Sequence, residues 1–259
     1  MNKTLTKLLF SSLFVLALAS CGSKPVEQPS SEPEEAKTSE VVEPSGPYIP
    51  EKESYKVACV GDSLTAGHYW SSQAYPVYLQ SYFNENGISG INFDVKNCGV
   101  NGISITGYGG SWDDPAKKYV LQDVYTQTVT YQPDIICILL GTNDATGWEN
   151  AKDIFKDGYK SLLESFRTDI PDASIIMMTP PPTTGTNQFN IPGDTIVDVV
   201  DPIIRSIAEE EEVELIDTEK VFSAYNPLSD LIRDDKVHLS VKGAELMAET
   251  VANGIFDLM

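Results

Sequence analysis

Only two side chains of the 259-residue chain could serve as an imidazole base, His68 and His238, and His238 has the better setting. It closes Asp235-Lys236-Val237-His238, where a carboxylate three residues upstream can accept from the imidazole Nδ1–H and leave Nε2 free to take a proton. Asp234 is a second carboxylate at a less suitable spacing. The partner such a base would serve is a nucleophile that is weak unaided. Ser63, in Gly61-Asp62-Ser63-Leu64-Thr65, is one, because a serine hydroxyl attacks a carbonyl only as its proton is removed. His68 lies five residues past Ser63 in the same turn and is expected to be structural or to face substrate.

Acyl transfer also requires donors aimed at the developing oxyanion. Two blocks offer them. Asn97-Cys98-Gly99-Val100-Asn101-Gly102 carries glycines whose backbone N–H can face a ligand, with Gly102 and Gly99 as alternatives. Gly141-Thr142-Asn143-Asp144 carries an amide side chain, Asn143, that can donate. Asp62 and Asp144 read as turn and cap residues. No G-x-S-x-G elbow is present, which argues against the α/β-hydrolase arrangement. Two histidines and no C-x-x-C give little support to a zinc site.

Each of these blocks except Asp235-Lys236-Val237-His238 follows a strand-like run. Strands are predicted at Tyr55–Val60, Ile91–Asn97, Asp134–Leu140, Ser174–Thr179 and Val213–Asp217. Between them run helical patterns: one opened by Pro76 with Tyr75, Leu79, Tyr82 and Phe83 on a face and stopped by Gly87, one carrying Phe155, Leu162, Leu163 and Phe166, and one marked by Ile196, Val200, Ile203, Ile204 and Ile207. Ser240 is a candidate N-cap for a last helix with Ala244, Met247, Val251 and Ile255 on one face. Continuous apolar strands alternating with amphipathic helices predict a parallel sheet covered on both sides, a flavodoxin-like three-layer α/β/α sandwich with five strands. In such sheets ligands bind beyond the carboxyl ends of the strands, where Ser63, the glycine block and Asn143 fall.

These four blocks, Gly-Asp-Ser-Leu, the glycine block, Gly-Thr-Asn-Asp and Asp-x-x-His, resemble in order those of the SGNH/GDSL hydrolases, from about residue 55 to the end of the sequence. The resemblance implies Ser63 as nucleophile, His238 as base, Asp235 as its orienting acid, and an oxyanion hole from the Ser63 and Gly102 N–H groups and the Asn143 amide. It implies no metal or cofactor. The strings Ala58-Cys59-Val60-Gly61-Asp62-Ser63, Tyr75-Pro76-Val77-Tyr78-Leu79-Gln80 and Leu140-Gly141-Thr142-Asn143-Asp144 are further similar to bacterial carbohydrate acetylesterases of that family, implying an acetylated carbohydrate as substrate. Trp70, Trp112 and Trp148 each follow a motif, as do Tyr69 and Tyr108, so their rings are candidates to stack on sugar; packing against the domain is the competing reading. The rival functions are a lysophospholipase or thioesterase of the same family, with an apolar acyl groove, and a non-catalytic glycan-binding lipoprotein.

The N-terminus has a separate logic. Lys3 and Lys7 precede an apolar run, Leu8 to Ala19, that is short for a bilayer span and reads as a signal segment over residues 1–20. Leu18-Ala19-Ser20-Cys21 resembles the lipobox of bacterial lipoproteins, which implies lipidation at Cys21 and an extracytoplasmic, membrane-anchored protein. Residues 21–54, rich in Pro, Ser and Glu, are expected to be a disordered tether with a reach on the order of 30 Å, and residues 55–259 the hydrolase domain. A net charge of −20 repels phosphate polyanions and argues against a nucleic-acid partner. Cys59, Cys98 and Cys137 lie in or beside apolar runs and are expected to be buried free thiols, with a disulfide from Cys59 to Cys98 or Cys137 as the minority alternative. Nothing in the sequence specifies an oligomeric state.

Overall fold

The computed structural model describes Ile49 and residues 51–109 and 112–259. The signal-like segment, Cys21 and most of the tether lie outside the described residues. Five strands, β1 (Ser54–Gly61), β2 (Asn92–Gly99), β3 (Ile135–Leu139), β4 (Ser174–Met178) and β5 (Glu214–Ile216), form one sheet in the order β2-β1-β3-β4-β5. Every pairing is parallel. This is the flavodoxin-like order, with its switch point between β1 and β3.

Alternate residues of the strands feed two cores. Val57, Cys59, Cys137, Leu139, Ile176 and Met178 face α1 (Tyr75–Asn86) and α5 (Val241–Phe256), which add Leu79, Phe83, Met247, Val251 and Ile255. Ala58, Val60, Ile136, Ile138 and Met177 face α2 (Asp123–Tyr131), α3 (Phe155–Asp169) and α4 (Asp201–Glu210), which add Tyr125, Tyr159, Leu163, Phe166, Ile204 and Ile207. β3 is buried at all five positions, which is why its sequence is an unbroken apolar run. The three cysteines are buried and free. Burial pushes their thiols up, that of Cys137 to about 12, as a core residue's would be.

The predicted elements are present with shifted ends, and three features go beyond them. α2 was not evident, because Asp123–Tyr131 has few strong apolar residues and buries only Tyr125 and Thr128. The helix marked by Ile196 reaches Glu210 through a π-helical turn at Ile196–Val200, which keeps Ile196 and Val200 buried together with Ile204. Ile49 is buried and its N–H donates to the Leu258 carbonyl at 3.0 Å, so packing reaches N-terminal of Tyr55.

The strands end level. Gly61 pairs with Gly99 on one side and with Leu139 on the other, Leu139 pairs with Met178, and Met178 with Ile216. The Ser63–Ala66 helical turn then packs directly on β2. A Cβ on Gly99 would lie 2.3 Å from the Ala66 nitrogen and 2.8 Å from its Cα, both backbone atoms that cannot swing aside. Gly99→Ala is therefore expected to destabilise the fold by roughly 1–3 kcal/mol through overpacking, read as a lowered midpoint in denaturant. An unchanged midpoint would show that the turn has room to shift.

Candidate active site

Asp62 ends β1 and caps the Ser63–Ala66 turn, its carboxylate accepting from the Leu64 N–H at 2.8 Å. That places Ser63 at the first position of the turn, at the carboxyl edge of the sheet. Asp235 and His238 arrive from the other end of the chain. An antiparallel bridge between Ile232 and Leu239, with the Arg233 N–H donating to the His238 carbonyl at 2.7 Å, closes the loop that precedes α5. Lys236 takes a left-handed φ of 72° inside it, and Ser240 caps α5 by accepting from Gly243 at 3.1 Å.

The three side chains form one hydrogen-bonded line. His238 Nε2 is 2.9 Å from Ser63 Oγ, and Nδ1 is 2.8 Å from Asp235 Oδ2. The other Asp235 oxygen accepts from the backbone N–H of Val237 at 3.0 Å and of His238 at 2.9 Å. Desolvation alone would raise the Asp235 pKa, but these donors outweigh it and hold the carboxyl below its ordinary range. Burial lowers the pKa of His238 below the ordinary histidine value, against the opposing pull of Asp235, so the ring is neutral at pH 7. Asp234 is exposed, and Asp235 alone makes the contact to the imidazole.

The two donor blocks reach the same edge. Gly99 uses its N–H on the Asn97 side chain at 3.0 Å and serves as a spacer beneath the Ser63 turn. Gly102 has a left-handed φ of 71°, and neither its N–H nor that of Ser63 bonds to another described group. Asn143 is 95% buried by its 5% exposure; its amide donates to the Ile103 carbonyl at 2.9 Å and more distantly to Asp62 at 3.3 Å. Burial raises the Asp62 carboxyl to about 7, against the opposing bond from Leu64. Asp144 accepts from the Ile105 and Thr106 N–H groups, each at 3.0 Å, and from the Thr106 hydroxyl at 2.7 Å, fastening the loop after β2 to the loop after β3. Asp62 and Asp144 are thus a cap and a staple.

The aromatic candidates divide. Trp70 lies near the site, its ring 3.9 Å from the Arg233 guanidinium carbon and 6.3 Å from the His68 ring. Tyr69 beside it is largely exposed. Trp148 stands edge-on to Phe155 at 5.6 Å and borders a cleft of about 500 Å³ with Thr146, Glu149 and Asn150. The Trp112 side chain is outside the described residues. Two site neighbours were not singled out from the sequence: Arg233, and Phe189, whose ring lies 5.2 Å from that of His238 and perpendicular to it. Phe189 sits in the long loop after β4, so the rule of searching beyond strand ends could have found it. Among the described residues no three His, Cys, Asp or Glu side chains gather as metal ligands.

A doubly wound parallel sheet with a Ser-His-Asp line at its carboxyl edge defines an SGNH-type α/β hydrolase fold. The chain belongs to the GDSL-like lipase/acylhydrolase family, whose model matches residues 59–246. It is similar to an acetylxylan esterase of Xylanibacter ruminicola, 27% identical over 228 residues, which cover 80% of this chain and 44% of that protein. A multidomain esterase of Ruminococcus flavefaciens is 24% identical over 169 residues, 64% of this chain and 21% of that protein. The chain thus spans less than half the length of either curated relative. Among solved structures, the lipase/acylhydrolase from Enterococcus faecalis has a TM-score of 0.61 at 20% identity, covering 78% of this chain and 95% of that one.

Because Asp235 favours the charged imidazole, removing its charge takes away the one influence that raises the His238 pKa. Asp235→Asn is expected to move the His238 titration, followed by NMR of the imidazole protons, to still lower pH. A shift to higher pH would contradict the orienting role of the carboxylate.

Proposed function

We propose that this chain is a serine esterase that removes short acyl groups, acetyl foremost, from carbohydrate. The observation that carries the reading is the line Ser63 Oγ–His238 Nε2–Asp235, at 2.9 and 2.8 Å. Similarity to an acetylxylan esterase supports the carbohydrate ester, and the exposed Tyr69 and Trp70 beside His68 supply faces suited to a sugar ring.

In this mechanism neutral His238 takes the Ser63 proton as Oγ attacks the ester carbonyl, and Asp235 stabilises the imidazolium that forms. The Ser63 and Gly102 N–H groups have no acceptor to abandon among the described residues. The Asn143 hydrogen held only at 3.3 Å from Asp62 is the one free to turn to the oxyanion. Breakdown releases the sugar hydroxyl, protonated by His238, and a water activated by the same ring hydrolyses the acyl-enzyme. No step calls on a metal or cofactor.

Ser63→Ala is expected to abolish release of p-nitrophenol from p-nitrophenyl acetate in a folded protein, while the unaltered chain loses rate as the acyl group lengthens from acetyl. Turnover retained without Ser63 would overturn the assignment. A rate rising with chain length would favour the lysophospholipase or thioesterase reading.

We also infer that Cys21 carries a lipid and holds the enzyme at the outer face of a membrane. The support is the basic and apolar run before it and the Pro-, Ser- and Glu-rich stretch after it. Cys21→Ser should release the protein from the membrane fraction of cells expressing the full chain, and continued sedimentation with membranes would refute the anchor.

A further inference from the structure

His68 is the one imidazole that the mechanism above leaves without a task, and its placement is specific. Its ring lies on that of His238 with centroids 4.0 Å apart and planes within 9°. Reaching that position requires two successive left-handed residues, Gly67 at φ 82° and His68 itself at φ 51°, a backbone choice that a non-glycine residue makes at some cost. Phe189 stands perpendicular to both rings, 5.8 Å from His68 and 5.2 Å from His238. Tyr69 leans on the His68 ring at 3.9 Å.

The His238 imidazole is therefore held on several sides: Asp235 at Nδ1, Ser63 at Nε2, His68 across one face, and Phe189 crosswise to the stack. His68 is also arranged to stay uncharged. Its Nδ1 is buried with no hydrogen-bond partner. A buried lone pair without a donor is tolerable, whereas a charged N–H without an acceptor is far more costly. The charged or titratable groups around it are His238, Asp235 and Arg233, together with the Tyr69 hydroxyl. Arg233 is kept on Trp70 and bonded to the Leu239 carbonyl at 2.5 Å. Burial, and then the neighbouring His238, lower the His68 pKa.

We propose that His68 is a positioning residue for the esterase reaction: its neutral ring lies flat on His238, fixes the plane in which Nε2 meets Ser63, and ceases to do so once it takes up a proton. The physical reasons are geometric and electrostatic. A face-stacked ring blocks rotation of the imidazole out of line with the serine, and misplacement by about 1 Å can lower a rate by 10²-fold. A positive His68 would repel the imidazolium that must form on His238 as Ser63 attacks. This inference rests on the esterase reading proposed above.

The test compares the unaltered protein with His68→Phe and His68→Ala, each checked for folding by its thermal melt, on p-nitrophenyl acetate between about pH 4 and 8; Asp62 and Asp144, raised to about 7 and 6, titrate in that range in all three proteins, so the profiles are read as differences between them. His68→Ala should lower kcat by about 10- to 100-fold with KM changed less than about twofold. His68→Phe, which restores a flat ring that cannot titrate, should recover most of that loss. The acid limb of log kcat/KM should be shallower by about 1 in His68→Phe than in the unaltered protein, where both rings must be neutral. Because the chain has 2 histidines, NMR reads the same coupling without turnover: the two imidazole titrations displace each other in the unaltered protein, and His68→Phe shifts that of His238. A wild-type kcat in His68→Ala, equal impairment of the two variants, an acid slope that His68→Phe leaves unchanged, or independent titrations would each overturn the proposal. Failure of the esterase reading has a different signature, namely turnover that persists in Ser63→Ala.

Discussion

Backbone pairing between Gly61 and its neighbours on both sides, Gly99 and Leu139, is the constraint on which the site depends. Parallel strands in register deliver their carboxyl ends to one level, so the turns that follow β1, β2 and β3 leave the sheet side by side. Gly99 then lets the Ser63 turn sit against β2 at backbone distance. Without that approach the serine, the glycine loop and Asn143 would stand on separate loops with no reason to converge. Two apolar cores, one on each face, hold the register, because a one-residue slip would turn every buried side chain of a strand to the wrong layer.

Onto this edge the protein adds buried carboxyls held by backbone donors. Asp62 and Asp144 are both fully buried, and each accepts from backbone N–H groups of an adjoining turn. Burial raises both carboxyls, Asp62 to about 7 and Asp144 to about 6, because desolvation disfavours their charged forms. The same burial acts in the same sense at His238, where desolvation keeps the ring neutral. Asp235 is held below its ordinary range because it is less buried and three donors converge on it, whereas fully buried Asp144 is raised despite three donors of its own. Removal from water thus pushes each of these groups towards its neutral form, and depth of burial set against local hydrogen bonding decides how far.

Much of this was legible in the sequence, for identifiable reasons. Apolar strands alternating with amphipathic helices indicated the parallel sheet, and Ser63, the glycine block and Asn143 were located by their places after strands, while the strand order comes from the structure. Asp235 was preferred over Asp234 on spacing, and the structure gives the contact to Asp235. Less legible were α2, whose weak apolar periodicity buries only Tyr125 and Thr128, and the aromatic surroundings of the serine. Trp70 and Trp148 look equivalent in sequence, yet one stacks on Arg233 near His68 and the other packs on Phe155.

The sequence by itself indicated most of the elements, their parallel arrangement and the candidate serine, histidine and aspartate, since strand periodicity, helix caps and short motif spacings are local properties of the chain. Only the tertiary structure decided what surrounds the histidine. His68, Phe189 and the loop that carries both Arg233 and His238 come from distant stretches, and their contacts depend on two left-handed residues, a long loop and a closing bridge acting together. Such contacts arise from three-dimensional packing, and no spacing along the chain encodes them.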